Sequence, residues 1–238
     1  DQVVYFPACI NRSMGPAGSS GERSLNTVTE SLLKKAGYSI VYPDATDKLC
    51  CGMPFASKGL SETAAAKAAE LGDALLNVSD NGRIPILCDM SPCLYHMKET
   101  LDSRLQLFEP IEFTLKFLAD RMEFGKVPQT IAIHTVCSAK KMGLEADFRR
   151  LAGMCAEKVV TPDVICCGFA GDRGFTVPEL NAFGLRRLKK QLPPEVNSGY
   201  STSRTCEIGL TTHSGIDYRS ILYLVDQVTR PKISSIVD

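Results

Sequence analysis

Ten cysteines among 238 residues are the part of this sequence best equipped for chemistry. Two adjacent pairs, Cys50-Cys51 and Cys166-Cys167, each run into a glycine, Gly52 and Gly168. Neighbouring Cα atoms on a trans backbone lie about 3.8 Å apart, whereas a relaxed disulfide wants roughly 4.4–6.8 Å, so these pairs are poorly placed to oxidise to each other. The cysteine content also falls well short of the ~8–10% that marks a disulfide-held scaffold. Thiolates are soft ligands for iron-sulfur clusters, zinc or copper(I), and metal ligation is the better use of such pairs.

The pairs belong to a repeat. Val3 to Cys9 and Ile131 to Cys137 are apolar runs that end in cysteine and read as buried strands. A helical stretch follows each: Ser24 to Ala36, with Leu25, Val28, Leu32 and Leu33 on one face, and Leu144 to Ala156, with Phe148, Leu151 and Met154. Next come a strand ending in Pro-Asp, at 43–44 and 162–163, and Cys-Cys-Gly, at 50–52 and 166–168. A third strand-like stretch then leads to Cys93 or Cys206. Residues 12 to 22, rich in Gly, Ser and Pro, read as a loop inserted after Cys9 with no counterpart after Cys137.

Two related α/β units are therefore expected, 1–125 and 126–238. Each should have a short, mainly parallel sheet flanked by helices, with its cysteines in loops at the strand C-terminal ends. The candidate ligands are Cys9, Cys50, Cys51 and Cys93 in the first unit and Cys137, Cys166, Cys167 and Cys206 in the second. Four thiolates complete either a [4Fe-4S] cluster or a tetrahedral zinc site. Long gaps between the ligands mean that the chain must fold before either site exists, unlike the short knuckles of a zinc ribbon. Gly52 and Gly168 allow positive φ and a close approach of backbone to the metal, and helix starts expected after them would aim amide N–H groups at the sulfurs. Lys58, Lys140 and Arg173 stand nearby as cations. His134 and His213 each sit near a repeat cysteine, as ligands, as hydrogen-bond partners of one, or, on the first reading, as structural residues; His96, Cys88 and Cys155 also read first as structural.

The rest of the sequence excludes several functions. Lys plus Arg equals Asp plus Glu at 27 each, so no electrostatic preference for nucleic acid is expected. No window approaches the roughly 18 apolar residues of a membrane span and no signal pattern opens the chain, which reads as cytoplasmic. The start at Asp1, close before a strand, is read as that of a fragment of something longer. There is no Gly-x-Gly-x-x-Gly fingerprint and no compact Cys-x2-Cys-x2-Cys run, so no residue of this chain is assigned a catalytic role and no FAD site is expected in it.

With both copies laid out, the sequence resembles the cysteine-rich CCG domain family, in which Cys, Cys-Cys-Gly and a terminal Cys-x-x-Cys recur in duplicate. Leu87 to Cys93, Cys166 to Gly174 and Cys206 to Leu210 look most like the C-terminal region of FAD- and iron-sulfur-dependent D-lactate dehydrogenases. The resemblance implies one or two [4Fe-4S] clusters, with zinc open in one site, and electrons relayed from flavin to a quinone or cytochrome at the cytoplasmic membrane face. FAD and ferredoxin-like domains would belong to the parent protein or a partner subunit. The family's Cys-x-x-Cys would place cysteines at 90 and 203, where this chain has Met90 and Ser203. That departure argues against a heterodisulfide reductase-like thiol catalyst, which stays as an alternative beside a zinc-stabilised structural domain.

Overall fold

Apolar runs rich in β-branched and aromatic residues form short strands, and amphipathic stretches between them form helices, in a computed structural model that describes residues 1–15 and 22–232. Of the loop expected at 12–22, residues 16–21 lie outside the described residues.

Strands β1 (Gln2–Phe6), β2 (Ser39–Val41), β3 (Ile86–Cys88) and β4 (Leu107–Phe108) form a parallel sheet in the order β2-β1-β3-β4. After β5 (Met122–Phe124), a second parallel sheet is built from β6 (Val127–Ile133), β7 (Ala156–Val160), β8 (Val196–Ser201) and β9 (Asp217–Ser220). Its order, β7-β6-β8-β9, repeats the first sheet strand for strand. β10 (Thr229–Pro231) pairs antiparallel with β5. The fold is thus the expected mixed α/β architecture of short, mainly parallel sheets flanked by helices.

The helices form where the spacing predicts. Leu25–Lys35 is capped by the Ser24 side chain, which accepts from the Thr27 N–H, and it ends in Lys34 and Lys35 as the helix dipole favours. Its counterpart Glu145–Cys155 buries Phe148, Leu151, Ala152 and Cys155; Met154, expected on that face, is only half-buried.

Alternation along β1 and β6 divides the interior. Val3 and Tyr5 of β1 and Ile131 and Ile133 of β6 point into one core shared by both halves. Val4 and Phe6 point the other way, into a core that holds Cys51, Cys88 and Cys93. Ala132 likewise faces a third core, with Cys167, Phe169 and Tyr218. The shared core is sealed by exchange: helix Ile221–Val228 of the second half packs on helix Leu25–Lys35 of the first, and Pro110–Phe113 of the first packs on Glu145–Cys155 of the second. Asp226, buried at the first of these contacts, is met by Arg23, Ser31 and Lys35. Among the described residues no helix is long and apolar enough to cross a membrane.

Glu109 caps helix Pro110–Phe113, its carboxyl accepting the Ile111 N–H at 2.7 Å while its second oxygen is buried without a partner among the described residues. Burial pushes its acid constant up to about 8, against the restraining pull of that amide. A carboxyl raised on folding holds its proton where the unfolded chain has already lost it, so it costs stability progressively as pH rises from ~4.3 toward 8. Glu109→Gln should leave stability unchanged at pH 4 and raise it at pH 8, as urea denaturation at the two pH values will measure.

Candidate metal centres

In each parallel sheet the C-terminal ends of three neighbouring strands lie side by side, and each delivers cysteine. Cys9 opens helix Cys9–Ser13 after β1, Cys50 and Cys51 lie in the coil that follows β2, and Cys93 stands in the first turn of helix Ser91–Thr100 after β3. In the second half Cys137 opens Cys137–Lys141, Cys166 and Cys167 lie in coil, and Cys206 stands in the first turn of Arg204–Ser214. Half of the eight therefore sit on helices rather than in the expected loops, because a parallel crossover begins its helix close to the strand end.

The structure brings each set of four together. Cys50 lies within interaction range of Cys9 and Cys51, and Cys51 in turn of Cys93. Cys166 lies within the same range of Cys137 and Cys167, and the Cys167 thiol donates to the Cys206 sulfur at 3.0 Å. Bonds donated by Cys51 and Cys9 pull the acid constant of Cys50 far below the ordinary thiol value, and those from Cys137 and Cys167 do the same to Cys166. Serving as donors to those sulfurs pushes Cys9, Cys51, Cys137 and Cys167 up. Each set thus favours one thiolate, at the first cysteine of its pair. The Gly52 amide reaches the Cys50 sulfur at 3.5 Å, and the Gly168 amide reaches that of Cys166 at 3.3 Å.

Among the described residues no group of three or more His, Cys, Asp or Glu side chains surrounds a point as a single metal ion demands. The sulfurs are strung in series, and 3.0 Å is shorter than the edge of about 3.8 Å that a zinc tetrahedron with Zn–S near 2.3 Å would impose. In kind, four soft donors with backbone amides aimed at them fit a thiolate-held group. To bind one, the thiols must part and give up their remaining protons.

Matching supports hold both sets. The basic residue three positions after the first cysteine reaches back to the carbonyl before the pair: Arg12 to Leu49 at 3.2 Å, Lys140 to Ile165 at 3.5 Å. Arg12 was not singled out from the sequence, although Cys-x-x-Arg at 9–12 and Cys-x-x-Lys at 137–140 carry the signal. Gly52 and Gly168 both have positive φ, and a Cβ on either would collide with a backbone carbonyl, of Ala64 or Leu180. Helix Met53–Ala56 starts directly after Gly52, but after Gly168 the next helix waits until Arg173, because Ala170 and Gly171 turn the chain left-handed first. In the first half alone, buried Asp89 accepts from the Ala8 amide and the Tyr5 hydroxyl, both at 2.8 Å, and so pins the residue before Cys9.

Of the expected cations only Lys140 bears on the sulfurs of its set. Lys58 pairs instead with Asp172 at 2.6 Å, joining the segments that follow the two cysteine pairs, and Arg173 acts on the same Asp172. Lys67, unremarked in the sequence, acts on Cys50. His134 is buried within electrostatic reach of Cys166, with Nε2 unpartnered among the described residues and its acid constant lowered to about 4 by burial. His213 lies two helical turns beyond Cys206, and His96 is half-buried on Ser91–Thr100. Cys88 is buried beside the first set, where Cys93 acts on it, whereas Cys155 lies in the shared core. Met90 and Ser203, at the positions where the resembled family has further cysteines, are both helix N-caps and meet at the seam between the halves. There Arg204 N–H points at Met90 Sδ and Ser91 N–H donates to Thr202 O at 3.0 Å.

Residues 3–98 match the CCG family, described as a cysteine-rich domain, and the match takes in Cys9, Cys50, Cys51 and Cys93. It gives this part of the chain a redox or metal-binding role. No curated protein sequence matches the chain. Among solved structures, glutamate racemase from Aquifex pyrophilus aligns over 95% of this chain and 82% of its own, at 12% identity and a TM-score of 0.39. Aspartate racemase from Picrophilus torridus aligns over 97% and 95%, at 10% identity and 0.37. Allantoin racemase from Klebsiella pneumoniae aligns over 95% and 84%, at 10% and 0.30. Likeness this slight assigns no activity.

Gly168→Ala should destabilise the protein by more than the ~1–2 kcal/mol that left-handed backbone costs an L residue, since Leu180 blocks the new methyl. Gly171→Ala, with equally positive φ but open space around it, should cost only that strain. Chemical denaturation of the two variants beside the parent will compare them.

Proposed function

We propose that this chain is the electron-transfer module of a flavin-dependent D-2-hydroxyacid dehydrogenase, with D-lactate the first choice of substrate. The observation that carries the reading is the duplicated set of four cysteines gathered at neighbouring strand ends, in each of which a glycine amide meets the first sulfur of the pair. Cys9, Cys50, Cys51 and Cys93 would hold one iron-sulfur cluster, and Cys137, Cys166, Cys167 and Cys206 a second. Bound there, such a group supplies one-electron transfer at a potential set by burial and by hydrogen bonds to its sulfurs.

The chain's own residues orient and tune. Arg12 and Lys140 tie each first-cysteine helix to the coil residue that precedes the pair, Asp89 fixes the approach to Cys9, and Gly52 and Gly168 allow the backbone to close on the sulfurs. Substrate oxidation belongs to FAD elsewhere in the parent protein, with a ferredoxin-like domain between, and this chain alone would not turn over lactate. Electrons would leave to a quinone or cytochrome at the cytoplasmic face of the membrane.

Protein purified without air should be brown and contain iron and acid-labile sulfide. Cys51→Ser and Cys167→Ser should each remove roughly half of the iron, because a cluster of this type needs four thiolates, while Cys155→Ser should remove none. A colourless anaerobic preparation with stoichiometric zinc would retire the electron-transfer reading, and iron lost from Cys155→Ser but kept in Cys167→Ser would overturn the ligand assignment.

A further inference from the structure

The two cysteine sets differ in their surroundings. Cys9 and Cys50 of the first are half-buried, whereas their counterparts Cys137 and Cys166 in the second are exposed. Around the exposed pair stand large apolar side chains: Ile165 is 80% exposed, Phe183 68% and Phe175 51%, with Leu180 and Val177 close behind. They form one neighbourhood. Ile165 precedes Cys166, Phe175 stacks edge-on against Phe169 at 4.8 Å, and Gly168 and Gly184 bring the cysteine segment and helix Pro178–Leu185 into backbone contact. Leu180 and Phe183, three residues apart, lie on one side of that helix, and Val177 is its N-cap. A soluble surface seldom gathers so many large apolar groups without a function.

Charge completes the face. Residues 173–191 hold Arg173, Arg186, Arg187, Lys189 and Lys190 against Glu179 alone, in a chain whose charges otherwise cancel. All five cations are exposed, and the Arg186 guanidinium lies 3.8 Å over the Phe183 ring, at the level of the apolar stripe. Protruding apolar side chains flanked by arginine and lysine are the composition of an interfacial helix that sinks into the headgroup layer, with its cations on anionic lipid.

We propose that this face, built on helix Pro178–Leu185 and the Ile165 and Phe175 segments, docks on an anionic lipid bilayer and so holds the second cysteine set at the membrane surface. The purpose rests on the electron-transfer reading, in which a lipid-soluble quinone receives the electrons; the face itself rests on exposure and charge. The test is co-sedimentation of the whole chain, purified without air, with vesicles of phosphatidylcholine alone or with one-quarter phosphatidylglycerol. Binding is expected to the anionic vesicles only, and to weaken as salt is raised. It should be lost in Leu180→Asp/Phe183→Asp and fall at least roughly thirtyfold in Arg186→Glu/Arg187→Glu, with circular dichroism and metal content equal to the parent. No binding to either vesicle, or undiminished binding by the first variant, would overturn the proposal. So would a solution dimer that the first variant disperses, which would assign the face to a second copy. Vesicle binding by a protein that carries zinc instead of iron would retire the electron-transfer reading and leave the docking face standing.

Discussion

Thiols separated by some forty residues of chain can meet only if the strand ends that carry them are neighbours, and the parallel order with β1 between β2 and β3 makes them so. Hydrogen bonding between strands, not any affinity among cysteines, sets this adjacency. The same order recurs around β6, so one geometric solution is used twice. Everything close to the sulfurs follows from it: the helices that begin at Cys9 and Cys137, the basic side chains that lace those helices to the coil before each pair, and the glycines that let the paired cysteines turn back toward them.

Much of this was legible in the residues because it is written in local patterns. The apolar runs at 3–9 and 131–137, helical spacing over 24–36 and 144–156, the Pro-Asp pairs and the Cys-Cys-Gly repeats each reflect a short-range rule; the two helices fall within a residue of their expected bounds, while β6 begins and ends four residues earlier than its run. What was not legible depends on distant partners. Sheet order is decided by which strands bury which faces, and nothing near Lys58 announces that its partner is Asp172 rather than a sulfur. Asp89 reads as one polar residue in a motif until folding brings Ala8 and Tyr5 to it. Arg12 is the instructive omission, since aligning the two copies at their first cysteines would have set it against Lys140.

Duplication has not kept the halves equivalent. The first set lies against a core of its own, with Cys88 added at its edge and Asp89 clamped beneath it. In the second half Thr202 stands four residues before the last cysteine, where the first half has Asp89, and Cys137 and Cys166 are open to solvent. Burial and hydrogen bonding to sulfur are the main levers a protein has on a thiolate-bound group, so two chemically alike sets sit in unlike electrostatic settings. Met90 and Ser203 meet midway, where the two repeats touch back to back.

The exchange of helices across the shared core also has a bearing on how the chain is made. Helix Leu25–Lys35 is made well before Ile221–Val228, yet the apolar side it turns from its own sheet is covered by that later helix. Translation at about 5–20 residues per second therefore leaves that side uncovered for many seconds, and the nascent first half must wait, partly folded and sticky, for a much later part of its own polypeptide.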